Sequence, residues 1–129
     1  MKKVLLLSLL SAFFALPTLS AGEQPDLIAV KFHADWCGSC KKMGNVFTDL
    51  QNKMDGQSIL FVTLDKTNST TKHQANLLAG ALGLSKVVKN NKGTGFILLL
   101  DGKTLQVKAK LTADNDIKAM TKKIQESLS

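Results

Sequence analysis

Hydrophobic residues fall into blocks whose spacing changes along the chain. Val4 to Leu16 is an apolar run behind Met1-Lys2-Lys3, the charge-then-hydrophobe order of a secretory signal, and it is too short to span a bilayer comfortably. Pro17 ends the run, and Ser20, Ala21 and Gly22 offer small residues for cleavage. Residues 1–21 are therefore expected to be a signal peptide and 22–129 a working domain with no integral membrane segment after cleavage; an uncleaved anchor is the alternative.

Beyond that point the pattern alternates between strand-length and helical spacing. Residues 27 to 34 are rich in apolar and β-branched side chains, with Ile28, Val30 and Phe32 on one face, and read as a buried strand. Met43, Val46, Phe47, Leu50 and Met54 then recur at helical intervals, which predicts one helix of about four turns starting near Cys40 and closed by Asp55-Gly56. Ile59 to Leu64 is a continuous apolar run, short enough for a central strand parallel to the first. A polar, turn-forming segment covers Asp65 to Thr71. Ala75, Leu77, Leu78, Ala81 and Leu82 predict a second helix over Gln74 to Leu82.

The stretch Ser85 to Gly95 reads as a loop around Val87-Val88, with one extra turn as the alternative. Phe96 to Leu100 is a third strand, and Asp101-Gly102 turns into a fourth, in which Leu105, Val107, Ala109 and Leu111 alternate with Gln106, Lys108 and Lys110. Asp114 or Asp116 caps a last helix whose stripe is Ile117, Met120, Ile124 and Leu128. The order βαβα-ββ-α calls for one small mixed sheet covered by helices on both faces.

Charge changes the picture little. The formal charge of +7 falls by two once Lys2 and Lys3 are removed, and the cationic residues are all lysine, since the chain has no arginine. Guanidinium forks dominate base and phosphate recognition, and these lysines are scattered. A nucleic-acid partner is not expected.

The candidate chemistry lies between the first strand and the first helix. Trp36-Cys37-Gly38-Ser39-Cys40 puts one thiol at a helix N-terminus, where unpaired backbone N–H groups and the helix dipole favour the thiolate, and a second thiol one turn later. Cys37 is then the nucleophile and Cys40 the thiol that resolves a mixed disulfide. Haem attachment would need histidine at position 41, which is lysine. Tetrahedral zinc would have to recruit both His33 and His73 beside the only two cysteines. A Cu(I)-holding dithiol is the stronger rival, and a purely structural bridge would close a loop too small to stabilise much. Asp35 reads as a solvated charge and His33 as a partly exposed packing residue.

Ala34 to Lys41, together with the strand before it and the helix beginning inside it, resembles the active-site region of the thioredoxin superfamily, and the later elements match that family's order. The resemblance implies an α/β thioredoxin-like fold with a central mixed four-stranded sheet, lacking the N-terminal strand and helix of full thioredoxins. It also implies an exposed Cys37, a buried Cys40, and Trp36 beside the reactive sulfur on the substrate-docking surface. The expected activity is thiol–disulfide exchange on protein cysteines, as a disulfide reductase outside the cytoplasm, periplasmic or otherwise exported. It would be re-reduced by a membrane electron donor and use no cofactor beyond a Cys37–Cys40 redox-active disulfide. A copper-binding chaperone and a non-enzymatic binding module of the same fold are the alternatives.

Three positions depart from the family. Gly38-Ser39 replaces the Gly-Pro of thioredoxins, and because no histidine lies between the cysteines a reductant is favoured. Lys31 stands where thioredoxins carry a buried acid; its stem is expected to pack and its ammonium to reach water. Thr94-Gly95 fills the place of a cis-proline facing the active site. A cis bond before a non-proline costs about 2.5–4 kcal/mol, so a trans loop is expected here, more open around Cys37, with Thr94 and Gly95 on the docking surface.

Overall fold

The computed structural model describes residues 22–129, so the expected signal peptide, 1–21, lies outside the described residues. Four strands form the sheet: β1 (Leu27–His33), β2 (Ile59–Asp65), β3 (Phe96–Asp101) and β4 (Val107–Thr112). Their spatial order is β2-β1-β3-β4. β1 and β2 run parallel, with Leu27 opposite Ile59 and His33 opposite Asp65. β3 is antiparallel to both β1 and β4. Among the described residues no strand or helix precedes Leu27.

Strand alternation divides the core in two. Leu27, Ala29, Ile97, Leu99 and Leu111 face one side, where α1 (Gly38–Met43), α2 (Val46–Lys53) and α5 (Ile117–Leu128) contribute Met43, Phe47, Leu50, Met120 and Ile124. Ile28, Val30, Phe32, Val62, Leu64, Leu98 and Leu100 face the other, covered by α3 (Ser69–Ala81) and α4 (Ser85–Asn90) through Ala75, Ala79 and the linking Leu84. Both faces of β1 and β3 are thereby largely sealed, which is why Phe96–Leu100 reads as an unbroken apolar run and β1 is interrupted only by the half-buried Lys31 and His33 at its end.

Five local expectations are corrected. β2, expected as a central strand, lies at an edge of the sheet, with Ile59, Leu60 and Phe61 only partly buried and Thr63 exposed. The four-turn helix is two helices, because Gly44 at φ 50 ends α1, its N–H donating to the carbonyls of Cys40 and Lys41. The third helix starts at Ser69, not Gln74. Asn68 caps it in a reciprocal box with Thr71, so the polar residues taken for a turn form its first turn. The 85–95 loop contains α4, six residues whose Val87 and Val88 pack on the second core; so short a helix has too little periodicity to be read from spacing. Finally, β4 begins at Val107. Leu105 lies in the preceding turn at φ 59, and Val107 is half exposed. The Asp101-Gly102 turn and the Asp116 cap of α5 stand as expected, Asp116 accepting from the Ala119 N–H at 2.7 Å.

Candidate functional site

Because β1 and β2 are parallel and β3 is antiparallel to them, three segments meet at one end of the sheet: the chain leaving β1, the chain leaving β2, and the chain entering β3. The first carries the cysteines. After His33 the backbone turns, the Cys37 N–H donating to the Ala34 carbonyl at 3.1 Å, and Cys37 becomes the N-cap of α1. Its Sγ accepts from the Cys40 N–H at 3.2 Å, the role a serine or aspartate oxygen usually fills. Cys40 lies one turn on, its thiol aimed at the Phe32 carbonyl 3.8 Å away.

Both cysteines are reduced and both are buried, Cys37 at 7 % and Cys40 at 4 % exposure. The expectation of an exposed Cys37 is therefore corrected, and the cause is the segment entering β3. Gly95 donates its N–H to the Phe32 carbonyl at 2.8 Å and sits at φ 87. A Cβ on Gly95 would lie 2.5 Å from the Ser39 Cβ and 3.1 Å from the Cys37 Sγ. The described residues contain no cis peptide bond, as expected, but the loop is closed down on the sulfur rather than more open. Without a side chain, Gly95 lets the backbone come to where a Cβ would collide.

The two thiols are pushed in opposite directions. Burial raises Cys37, but hydrogen bonds from the Cys40 thiol, the Thr94 side chain and the backbone N–H groups of Cys40 and Ser39 outweigh it and hold the thiol below its ordinary range. Burial raises Cys40 as well. The Cys37 hydrogen bond and charge add to the rise, and the backbone at Ala34 and the Lys31 ammonium only partly offset it. Of the two thiols, Cys37 is therefore the one that ionises more readily. The helix N-terminus contributes to the Cys37 shift, behind the Cys40 and Thr94 side chains.

Trp36 and Thr94 both join Cys37 at this end of the sheet. Trp36 is 62 % exposed, yet its indole Nε1–H donates to the Thr67 carbonyl at 3.0 Å. His33 is partly exposed as expected, with Nε2 3.1 Å from the exposed Asp35 carboxylate and Nδ1 buried and unpaired among the described residues. Lys31 is half buried, its Nζ 5.7 Å from the centre of the Phe47 ring. Missing from the sequence reading is the corner after β2. Thr67 accepts the Asp35 N–H on its hydroxyl at 3.0 Å, and Lys66 reaches the Gly93 carbonyl at 3.4 Å while lying over the Phe32 ring. The available signal was the parallel pairing itself, since chain segments leaving adjacent parallel strands converge at one end of a sheet.

Fold and site together define a mixed four-stranded sheet, helices on both faces, with a dithiol at the N-terminus of the helix that follows the first strand. The family model of thioredoxin matches residues 19–91, more than half of the chain, and the chain belongs to the thioredoxin family. It is similar to a thioredoxin of Ictalurus punctatus, 37 % identical over 52 residues that make up 40 % of this chain and 47 % of that protein. The chain thus matches about half the length of this curated relative. Among solved structures it is similar to the thiol:disulfide interchange protein, a thioredoxin family protein, from Chlorobium tepidum TLS, at TM-score 0.59 and 12 % identity over 82 % of each chain. It is also similar to a malarial protein, at TM-score 0.53 and 20 % identity, over 80 % of this chain and 98 % of that one. At such identities these structures share the fold.

Proposed function

We propose that this chain is a thiol–disulfide oxidoreductase acting on protein cysteines, working as a disulfide reductase outside the cytoplasm. The observation that carries the reading is the opposite displacement of two thiols one helical turn apart, Cys37 down and Cys40 up. The Cys37 thiolate attacks one sulfur of a substrate disulfide, forming a mixed disulfide and releasing the other substrate sulfur as a thiolate, which takes up a proton. Cys40 then loses its proton and attacks the Cys37 sulfur. The second substrate thiol leaves, and a Cys37–Cys40 disulfide remains: the substrate has gained two electrons and the protein has lost two.

A donor dithiol must return those electrons, and a membrane electron carrier is the donor class proposed. Export is supported by the charge-then-hydrophobe order of residues 1–21. The direction of transfer is supported by Gly38-Ser39, which puts no histidine between the cysteines.

The test is insulin reduction with dithiothreitol as donor. Cys37→Ser should abolish it, while Cys40→Ser should accumulate mixed disulfides with the substrate. Equal trapping by both single variants would dissolve the assignment of roles.

A further inference from the structure

The corner that follows β2 is bonded to the cysteine loop more closely than its sequence suggests. Asp65, the last residue of β2, receives both the N–H (2.8 Å) and the hydroxyl of Thr67 on one carboxylate oxygen. Thr67 spends its remaining polar groups on the neighbouring loop: its hydroxyl oxygen accepts the Asp35 N–H, and its carbonyl accepts the Trp36 indole N–H, each at 3.0 Å. The two loops lie side by side because Asp65, the last residue of β2, is opposite His33, the last residue of β1.

We infer that Thr67, held by Asp65, is a positioning residue for Trp36 and through it for the docking of a protein segment beside Cys37. The inference rests on the thiol–disulfide reading above. Trp36 is the most exposed large apolar side chain at this end of the sheet. A large aromatic surface contributes most to docking when its orientation is fixed before the partner arrives, since immobilising it on binding otherwise costs side-chain entropy. More than half of the indole is exposed, so packing covers only part of it. The Thr67 carbonyl holds its polar edge, and the Thr67 hydroxyl holds the backbone one residue earlier. The Asp65 carboxyl accordingly lies below the usual carboxylate range, first because of the Thr67 hydroxyl. None of the groups that hydrogen-bond the Cys37 sulfur belongs to this corner, so the tie should act on docking and leave the thiol unchanged.

The sequence contains one tryptophan, so fluorescence reads Trp36 alone. Thr67→Val keeps the side-chain shape and removes the hydroxyl; Thr67→Ser keeps the hydroxyl. In the reduced protein, Thr67→Val should lower Trp36 anisotropy and raise its quenching by acrylamide. In the insulin assay it should raise KM several-fold with kcat within twofold, and leave the pH midpoint of Cys37 alkylation in place. Thr67→Ser should restore wild-type values. Asp65→Ala attacks the same tie from the strand side and should move fluorescence in the same direction, which covers the case of a poorly folded Thr67→Val. The inference is overturned if Thr67→Val matches wild type in fluorescence and KM. It is equally overturned if Thr67→Ser behaves like Thr67→Val, or if the Cys37 midpoint moves. A wild type that reduces no protein disulfide would overturn the thiol–disulfide reading and the docking role with it, while the fluorescence arm alone would still decide whether Thr67 holds Trp36.

Discussion

Replacing Gly95 with alanine tests the close approach on which the site depends. Two separate costs are expected. The first is conformational: Gly95 sits at φ 87, and an L side chain in the left-handed region costs roughly 1–2 kcal/mol. The second is steric, because the new Cβ would lie 2.5 Å from the Ser39 Cβ and 3.1 Å from the Cys37 Sγ. Overpacking of this kind costs typically about 1–3 kcal/mol as neighbours move away. The sum is about 2–5 kcal/mol, and a loss near 3 kcal/mol lowers the melting midpoint of a domain this size by roughly 10–20 °C. Thermal melts of the reduced protein measure the total. The two costs separate in a cycle with Ser39→Gly, which deletes the nearest atom and leaves the backbone conformation alone. The double variant should recover about 1–2 kcal/mol of the steric part relative to additivity. A Gly95→Ala variant within about 0.5 kcal/mol of wild type, or a cycle with no coupling, would refute the argument. Gly95→Pro should fare no better, since proline fixes φ near −65° and removes the N–H that the Phe32 carbonyl receives.

Thr94→Ala removes a hydrogen bond that favours the Cys37 thiolate, so the alkylation midpoint of Cys37 should rise, and at a fixed pH below both midpoints the thiolate fraction should fall. Wild-type Cys37 should titrate below the ordinary free-cysteine range; a pH series of iodoacetamide rates on both proteins checks the order, and an unmoved or lowered midpoint in Thr94→Ala would count against it. Asn68→Ala deletes one half of the capping box of α3 and should cost about 1 kcal/mol in urea unfolding, with no effect on the Cys37 midpoint.

The sheet was legible because its inner strands are sealed on both faces. A strand buried twice is largely apolar, and Leu27–Phe32, broken only at the half-buried Lys31, and Phe96–Leu100 announce themselves for that reason; β2 is an edge strand with Thr63 exposed, and its run reads as apolar because Val62 and Leu64 pack on the second core. The same rule explains the misplaced start of the fourth strand. β4 lies at an edge where Val107 faces water, so the alternation beginning at Leu105 marks composition without marking pairing. Helix limits failed where a backbone device overrides periodicity. Gly44 leaves the apolar spacing from Met43 to Met54 intact while ending α1, and the Asn68–Thr71 box draws polar residues that look like a turn into α3.

The dithiol was legible for a different reason: its chemistry is local. Two cysteines three positions apart at a helix start contain most of their own geometry, and the sequence places them with no help from tertiary contacts. What surrounds them is not local. Gly95 is 58 positions from Cys37 along the chain, and Thr67 is 31 from Trp36. Neither position carries a residue type that advertises a role. Reading the absent proline at Gly95 as an opening assumed that less side chain means more space, whereas the backbone here lies so close to Ser39 and Cys37 that a Cβ would collide with them. That inversion bears on function, because it makes the glycine a close wall of the cysteine site rather than a gap beside it. Access to Cys37 is then set by the two segments that flank it. Gly95 is held through its bond to the Phe32 carbonyl, the same acceptor toward which the Cys40 thiol points. Because the Gly95 N–H pairs that carbonyl at 2.8 Å, the carbonyl does not depend on the Cys40 proton. In the proposed exchange, Cys40 can therefore give up its proton without stranding a buried acceptor, because the bond that closes the wall already satisfies it.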